Sequence, residues 1–150
     1  KLDAHDRAIV STLQEEGRLS NVELAARVGL SESATLRRVK NLEDSGLVDG
    51  YAMILNQAAA GKPGNVFVSI SLESQQKERL ARFEEAVSSV AEVMECYLMG
   101  GDVDYLLRVI VGGGPDYERV HHKLTALPGV ARVHSAFSLR TVFKKTKIEV

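Results

Sequence analysis

Tryptophan is absent from this 150-residue chain, and Phe and Tyr number four each. A protein that grips single-stranded nucleic acid needs stacking platforms for successive bases, so this scarcity argues against that class. Cys96 is the sole cysteine, which excludes an intramolecular disulfide and a cysteine-cluster metal site. Its place in an apolar stretch marks it as a small packed hydrophobe. No apolar run approaches the roughly 18 to 20 residues of a membrane span, and the chain opens at Lys1 without the pattern of a signal peptide. A cytoplasmic setting away from membranes is expected. Charge of one sign is also missing, since the net charge is −1. What is present, 45% apolar and 26% charged residues, suits a folded chain with one core or two modest ones.

The most informative stretch is Leu19 to Leu42, LSNVELAARVGLSESATLRRVKNL. Ser20 followed three residues later by Glu23 is a capping box, and Gly29 stands where a helix must end. A helix over roughly Asn21 to Val28 is therefore predicted. Gly29 takes positive φ at little steric cost, so the chain turns, and Ser31 caps a third helix running to about Ser45. On that helix Thr35, Leu36, Val39 and Leu42 are read as the stripe facing the core. Ala34, Arg37, Arg38 and Asn41 form a second stripe, suited to base edges in a major groove, with Arg matched to guanine and Asn to adenine. Ser31, Ser33 and the helix N-terminus would hold phosphate.

The first fifty residues nevertheless hold seven Lys or Arg against nine Asp or Glu. Phosphate neutralisation supplies most non-specific affinity, so a single head is expected to bind weakly and tight binding to need several heads together.

Leu2 to Glu16 reads as a first helix with Asp3 as its cap, and Leu47 to Leu55 is rich in strand formers. Asn56 to Asn65, NQAAAGKPGN, is the one plausible linker. Residues 1–55 are thus expected as one domain, 56–65 as the linker and 66–150 as a second domain. Beyond the linker, strands at Val66 to Leu72, Val93 to Met99, Tyr105 to Val111 and Val130 to Phe143 alternate with two helices. Leu80, Phe83, Val87 and Val90 mark the first helix, and Tyr117, Val120, Leu124 and Leu127 the second. The fold class is α+β: an N-terminal three-helix (winged) helix-turn-helix domain followed by a ferredoxin-like βαββαβ sandwich domain, with both helices on one sheet face. Tyr97, Leu106 and Ile110 leave the other face apolar as well, and a copy of the chain is the cheapest cover. A two-fold dimer would set two reading helices about 34 to 36 Å apart, matching a pseudo-palindromic site on double-stranded DNA.

The phrases LDAHDRAIVSTLQEEGRLSNVELAARVGLS, RRVKNLEDSGLVDGY and GDVDYLLRV resemble the leucine-responsive regulatory protein/AsnC, or feast/famine, family over essentially the whole chain. The resemblance implies a transcription factor that dimerises through its C-terminal sheet, assembles further into discs of four dimers, and responds to an amino-acid effector bound between dimers. It carries DNA contacts onto Ser31, Ser33, Arg37 and Arg38, and the effector loop onto Gly101, Asp102, Val103, Asp104 and Tyr105. Gly100 stands where family members often have Ser or another residue.

The hairpin has its own physical reading. Amides at Gly100 and Gly101 can reach a carboxylate, and Asp102 or Asp104 can pair with an ammonium. A tight turn whose aspartates bond their own backbone is the competing reading.

Two other classes are weighed against a regulator of amino-acid-related metabolism. Siroheme decarboxylases resemble this two-domain family and use histidines, which draws attention to His121 and His122. Adjacent helical residues point about 100° apart, a poor arrangement for shared acid–base work, so no catalytic residue is assigned. An amino-acid sensor whose head no longer binds DNA is the other alternative, permitted by the near-neutral head. No metal or cofactor is expected.

Overall fold

The computed structural model describes residues 1–150. It divides into a head, Lys1–Ile54 together with Val142–Val150, and a second unit, Leu55–Thr141.

The head is built from α1 (Ala4–Glu15), α2 (Asn21–Val28) and α3 (Glu32–Asp44). Each start is set by a side-chain cap. Asp3 and Asp6 form a capping box on α1, Ser20 and Glu23 one on α2, and the Ser31 hydroxyl accepts from the Ala34 amide at 3.2 Å on α3. Gly29 ends α2 at φ +70°, a left-handed conformation that L side chains rarely adopt. Ile9, Leu24, Val28 and Leu42 form the buried core of the head. Thr35 is fully buried, and its hydroxyl donates to the Ser31 carbonyl at 2.8 Å. Leu36 departs from the expected core stripe, because it lies about 100° around the helix from Thr35 and is 59% exposed.

Leu47 to Leu55 forms no strand. A strand needs a neighbour for its backbone groups, and no backbone hydrogen bond pairs this segment with another part of the chain. Met53, Ile54 and Leu55 remain exposed there. The last nine residues, expected with the second domain, group with the head. Gln14 holds them with both ends of its amide: the Ile148 N–H donates to Oε1 at 2.7 Å and Nε2 donates to the Ile148 carbonyl at 2.9 Å. Lys147 pairs with Glu15 at 2.7 Å. Ile148 and Val150 line a cavity of ≈ 370 Å³ with Leu13, Val39, Leu42 and Val48.

The second unit contains β1 (Gly64–Leu72), α4 (Lys77–Ser88), β2 (Val93–Leu98), β3 (Tyr105–Val111), α5 (Gly114–Thr125) and β4 (Val130–Phe137). The four strands form one antiparallel sheet in the order β2-β3-β1-β4. Alternation explains its inner face: Val66, Val68, Ile70 and Leu72 of β1 and Tyr105, Leu107, Val109 and Val111 of β3 are buried. Phe83, Val87, Val120 and Leu124 of the two helices join them in a single core. β4 ends at Phe137 rather than Phe143, where Ser138 donates its amide to the Asn65 carbonyl and the chain leaves the sheet.

The outer face carries Phe67, 42% exposed, and Tyr97, 53% exposed. Leu106 and Ile110 are half-buried beside them. Arg108 crosses this face, donating to the Glu95 carboxylate and to Asn65 Oδ1 at 3.0 Å. Cys96 is exposed on β2, an edge strand, and is therefore not the packed hydrophobe expected from its neighbours.

Asp116 ties the start of α5 to the preceding turns. Lys62 donates to it at 2.7 Å, the Gly112 amide at 2.7 Å and Arg119 at 2.6 Å, and these donors, Lys62 foremost, hold its carboxyl far below the usual range. A carboxyl depressed on folding stabilises fully above the ordinary carboxylate pKa of about 3.9, and that contribution is lost as pH falls toward the folded value. The melting temperature of Asp116→Asn is therefore expected to depend less on pH than that of the unsubstituted chain below about pH 4. Parallel acid titrations of the two proteins would refute this assignment.

Candidate nucleic-acid interface and ligand hairpin

α2 and α3 are fixed to one another by more than their shared core. Asn21, at the first position of α2, donates its side-chain amide to the Glu32 carbonyl at 2.8 Å, which sets the entry of α3. The outward face of α3 then presents Ser33, Leu36, Arg37, Lys40 and Asn41, all exposed. The Ser31 and Ser33 hydroxyls stand 3.4 Å apart at its N-terminus, where free amides and the helix dipole favour an anion.

Two members of the predicted reading stripe are placed differently. Ala34 is half-buried. Arg38 turns toward α1, where Nη1 lies 2.9 and 2.7 Å from the Asp3 oxygens and 3.0 Å from Asp6 Oδ1. Its side chain is 24% exposed, and its Nε is buried without a partner. The Asp6 amide, and after it Arg38, lowers the Asp3 carboxyl below its ordinary value. Arg37 is thus the guanidinium open to solvent on this helix, and Arg38 braces α3 to the start of α1. Periodicity alone could not separate the two arginines, because the partners of Arg38 lie on another helix.

The hairpin between β2 and β3 brings Gly100, Gly101, Asp102, Val103 and Asp104 together. Gly101 has φ +115°, and Gly100, Gly101 and Asp102 are exposed. The N–H groups of residues 100–103 have no acceptor within the chain. Asp104 looks inward: its Oδ2 accepts from the Leu72 amide at 2.7 Å, and Gln75 Nε2 donates to the same carboxylate at 3.2 Å. Its backbone closes the hairpin, accepting from the Met99 amide at 2.8 Å. Tyr105 is buried, stacked on Phe83 with ring centroids 4.5 Å apart, and its hydroxyl donates to Glu84. Burial, and then that bond, raises its phenol above the ordinary value. Of the predicted ligand residues, 100–102 are exposed, Val103 is half-buried, Asp104 anchors the loop, and the Tyr105 side chain belongs to the core. Gln75 was not visible as a participant, because it sits in a loop 29 residues away with no motif around it.

His121 lies half-buried against Tyr117, with ring centroids 5.7 Å apart, while His122 is exposed and 6.4 Å from it. The two rings do not converge on a common point.

Comparison with known proteins accounts for both halves. Residues 65–148 match the Lrp/AsnC ligand binding domain, and residues 2–49 match a winged helix-turn-helix DNA-binding domain. This chain belongs to the Lrp/AsnC family. It is a DNA-binding transcriptional regulator with a ligand-binding domain, on the ferredoxin-like architecture read from its sequence. Among its Lrp/AsnC relatives, the Bkd operon transcriptional regulator of Pseudomonas aeruginosa is 43% identical over 147 residues, covering 97% of this chain and 96% of that protein. The leucine-responsive regulatory protein of Escherichia coli K12 is 42% identical over 130 residues, 86% of this chain and 79% of that protein. A transcriptional regulator of Neisseria meningitidis, solved as its complex with L-methionine, superposes with a TM-score of 0.93 at 35% identity, covering 99% of this chain and 96% of that one. The relatives are named as regulators, not enzymes, and no helix here is long and apolar enough to cross a membrane.

Proposed function

We propose that this protein regulates genes of amino-acid-related metabolism by reading a pseudo-palindromic operator with paired α3 helices. It releases or tightens that grip when an amino acid occupies the β2–β3 hairpin. The observation that carries the DNA half is α3 itself, capped by Ser31, fixed by Asn21 and presenting Arg37 to solvent between Ser33 and Lys40. Arg37 and Asn41 meet base edges, Ser31 and Ser33 hold phosphate, and Ala34 lets the backbone approach the groove. Arg38 acts at one remove by fixing the tilt of α3 against α1.

The ligand half rests on the hairpin. The amides of Gly100, Gly101, Asp102 and Val103 suit a carboxylate, and the exposed Asp102 carboxylate suits the ammonium of the same molecule. The L-methionine bound to the Neisseria relative supports an α-amino acid as the ligand class. Asp104 keeps the loop in shape through Leu72 and Gln75.

The partner across the sheet is a second copy, supported by Phe67 and Tyr97 on the open face. Further assembly to an octamer is the state that the family resemblance implies, and light scattering with and without amino acids tests it. The protein acts in the cytoplasm and carries out no catalysis.

A coupling of about 1 to 3 kcal/mol between the sites would change DNA affinity roughly 5- to 150-fold. Mobility shifts on a duplex selected from a random pool, across a panel of L-amino acids, are expected to show such a change. Asp102→Ala should blunt the response with little loss of stability, whereas Asp104→Ala should blunt it and also lower the melting temperature. An undiminished response in both variants would remove the hairpin from the mechanism.

A further inference from the structure

Leu36 is the apolar residue that α3 leaves in water. It is 59% exposed, and it is absent from the set of side chains that build or line the core of the head. A single exposed leucine on an arbitrary helix is commonplace. This one stands between Ser33, one turn before it, and Lys40, one turn after it, and directly precedes Arg37, all of them exposed. Around the helix Lys40 and Ser33 lie between Leu36 and Arg37, so the leucine borders the face that presents the free guanidinium, about 100° from it. Polar neighbours can answer the donors and acceptors of a base pair or the phosphates, but a leucine can answer neither. The apolar group that a base pair displays in the major groove is the 5-methyl of thymine.

We propose that Leu36 reads a thymine methyl group, so that each half-site of the operator carries an A·T pair at one fixed position beside the base met by Arg37. This rests on the reading that α3 enters the major groove. The side chain is outside the head core, so its apolar surface is free to meet the DNA. Covering a methyl-sized group is worth roughly 0.8 kcal/mol, which corresponds to about a fourfold change in affinity per half-site.

The test uses the full chain and a duplex selected by it from a randomised pool. Thymines of the selected duplex are replaced one at a time by deoxyuridine, which removes the methyl and keeps every hydrogen-bonding group. One position per half-site is expected to lose about fourfold in affinity on replacement. Leu36→Ala should bind the thymine and uracil duplexes equally, while Arg37→Ala should bind both more weakly and keep their ratio. Because Leu36 is exposed, Leu36→Ala should melt with the unsubstituted chain.

Indifference of the unsubstituted protein to every replacement would overturn the proposal. So would a thymine-to-uracil ratio that survives in Leu36→Ala. If Arg37→Ala weakens binding while Leu36→Ala does not, the groove reading stands and only the role of Leu36 falls. If neither variant weakens binding, both fall.

Discussion

Arg37→Ala is expected to lose roughly 5- to 150-fold in affinity for the selected duplex, the equivalent of about 1 to 3 kcal/mol for one bidentate contact to a guanine edge. The loss should be specific. A guanidinium that meets a base discriminates at one operator position, so the variant should tolerate substitutions there that the unsubstituted protein rejects. A guanidinium that meets phosphate instead lowers affinity uniformly across sequences and flattens the salt dependence. Competition among duplexes varied at single positions, repeated at two salt concentrations, separates the two roles. Two symmetric heads make the effect larger still, since each copy carries the same substitution. Full retention of affinity would mean that α3 does not read DNA through its outward face.

Phe83→Ala is expected to destabilise the second unit by about 3 to 5 kcal/mol. Phe83 is fully buried, stacks on Tyr105 and sits where α4 meets the inner face of the sheet. Truncation removes the ring and leaves a hole beside Tyr105, in a core rich in β-branched side chains of the sheet, which relax little because their χ1 angles are stiff. A typical domain is stable by only about 5 to 15 kcal/mol, so the loss is a large part of the total. The two cores share no residue, so the head should unfold near its original midpoint while the transition of the second unit moves to lower urea. Tyrosine fluorescence and far-UV circular dichroism follow the two transitions. A shift below about 1 kcal/mol would mean that α4 collapses into the space and that the core is looser than its burial implies.

The sequence was most informative where structure is set locally. Ser20, Glu23, Gly29 and Ser31 state the boundaries of α2 and α3, because capping bonds and a left-handed glycine involve residues within four positions of one another. The inner face of the sheet was legible for a similar reason: strict alternation along β1 and β3 needs no knowledge of what lies opposite. Errors appear where a distant partner decides. Arg38 looks equivalent to Arg37 until Asp3 and Asp6 are placed beside it, from 35 and 32 residues away. Helical spacing put Leu36 with Thr35, Val39 and Leu42 on the core stripe, but it lies at the edge of that stripe, about 100° from Thr35, and the core does not reach it. Leu47 to Leu55 has strand-forming side chains, but no composition can supply the neighbouring backbone that a strand requires. Residues 142–150 follow the sheet in sequence, and only the bonds from Gln14 and Glu15 show that they pack beside α1.

The hairpin between β2 and β3 was legible as one loop, but the parts its residues play within that loop were not. Glycines and acidic residues in a tight loop advertise an anion-and-cation site. The same letters cannot say which aspartate faces outward. The Leu72 amide and Gln75 decide that by drawing Asp104 inward and leaving Asp102 exposed.

Gln14 receives its backbone partner, Ile148, from the far side of an intervening 87-residue unit. Translation therefore delivers the three helices before the sheet, and the segment that lines their cavity only after the four strands. Until then α1 and α3 expose apolar surface around Leu13, Val39 and Leu42 that the finished molecule partly covers with Ile148 and Val150. Nascent chains lacking this strap should be more prone to chaperone capture than the finished molecule.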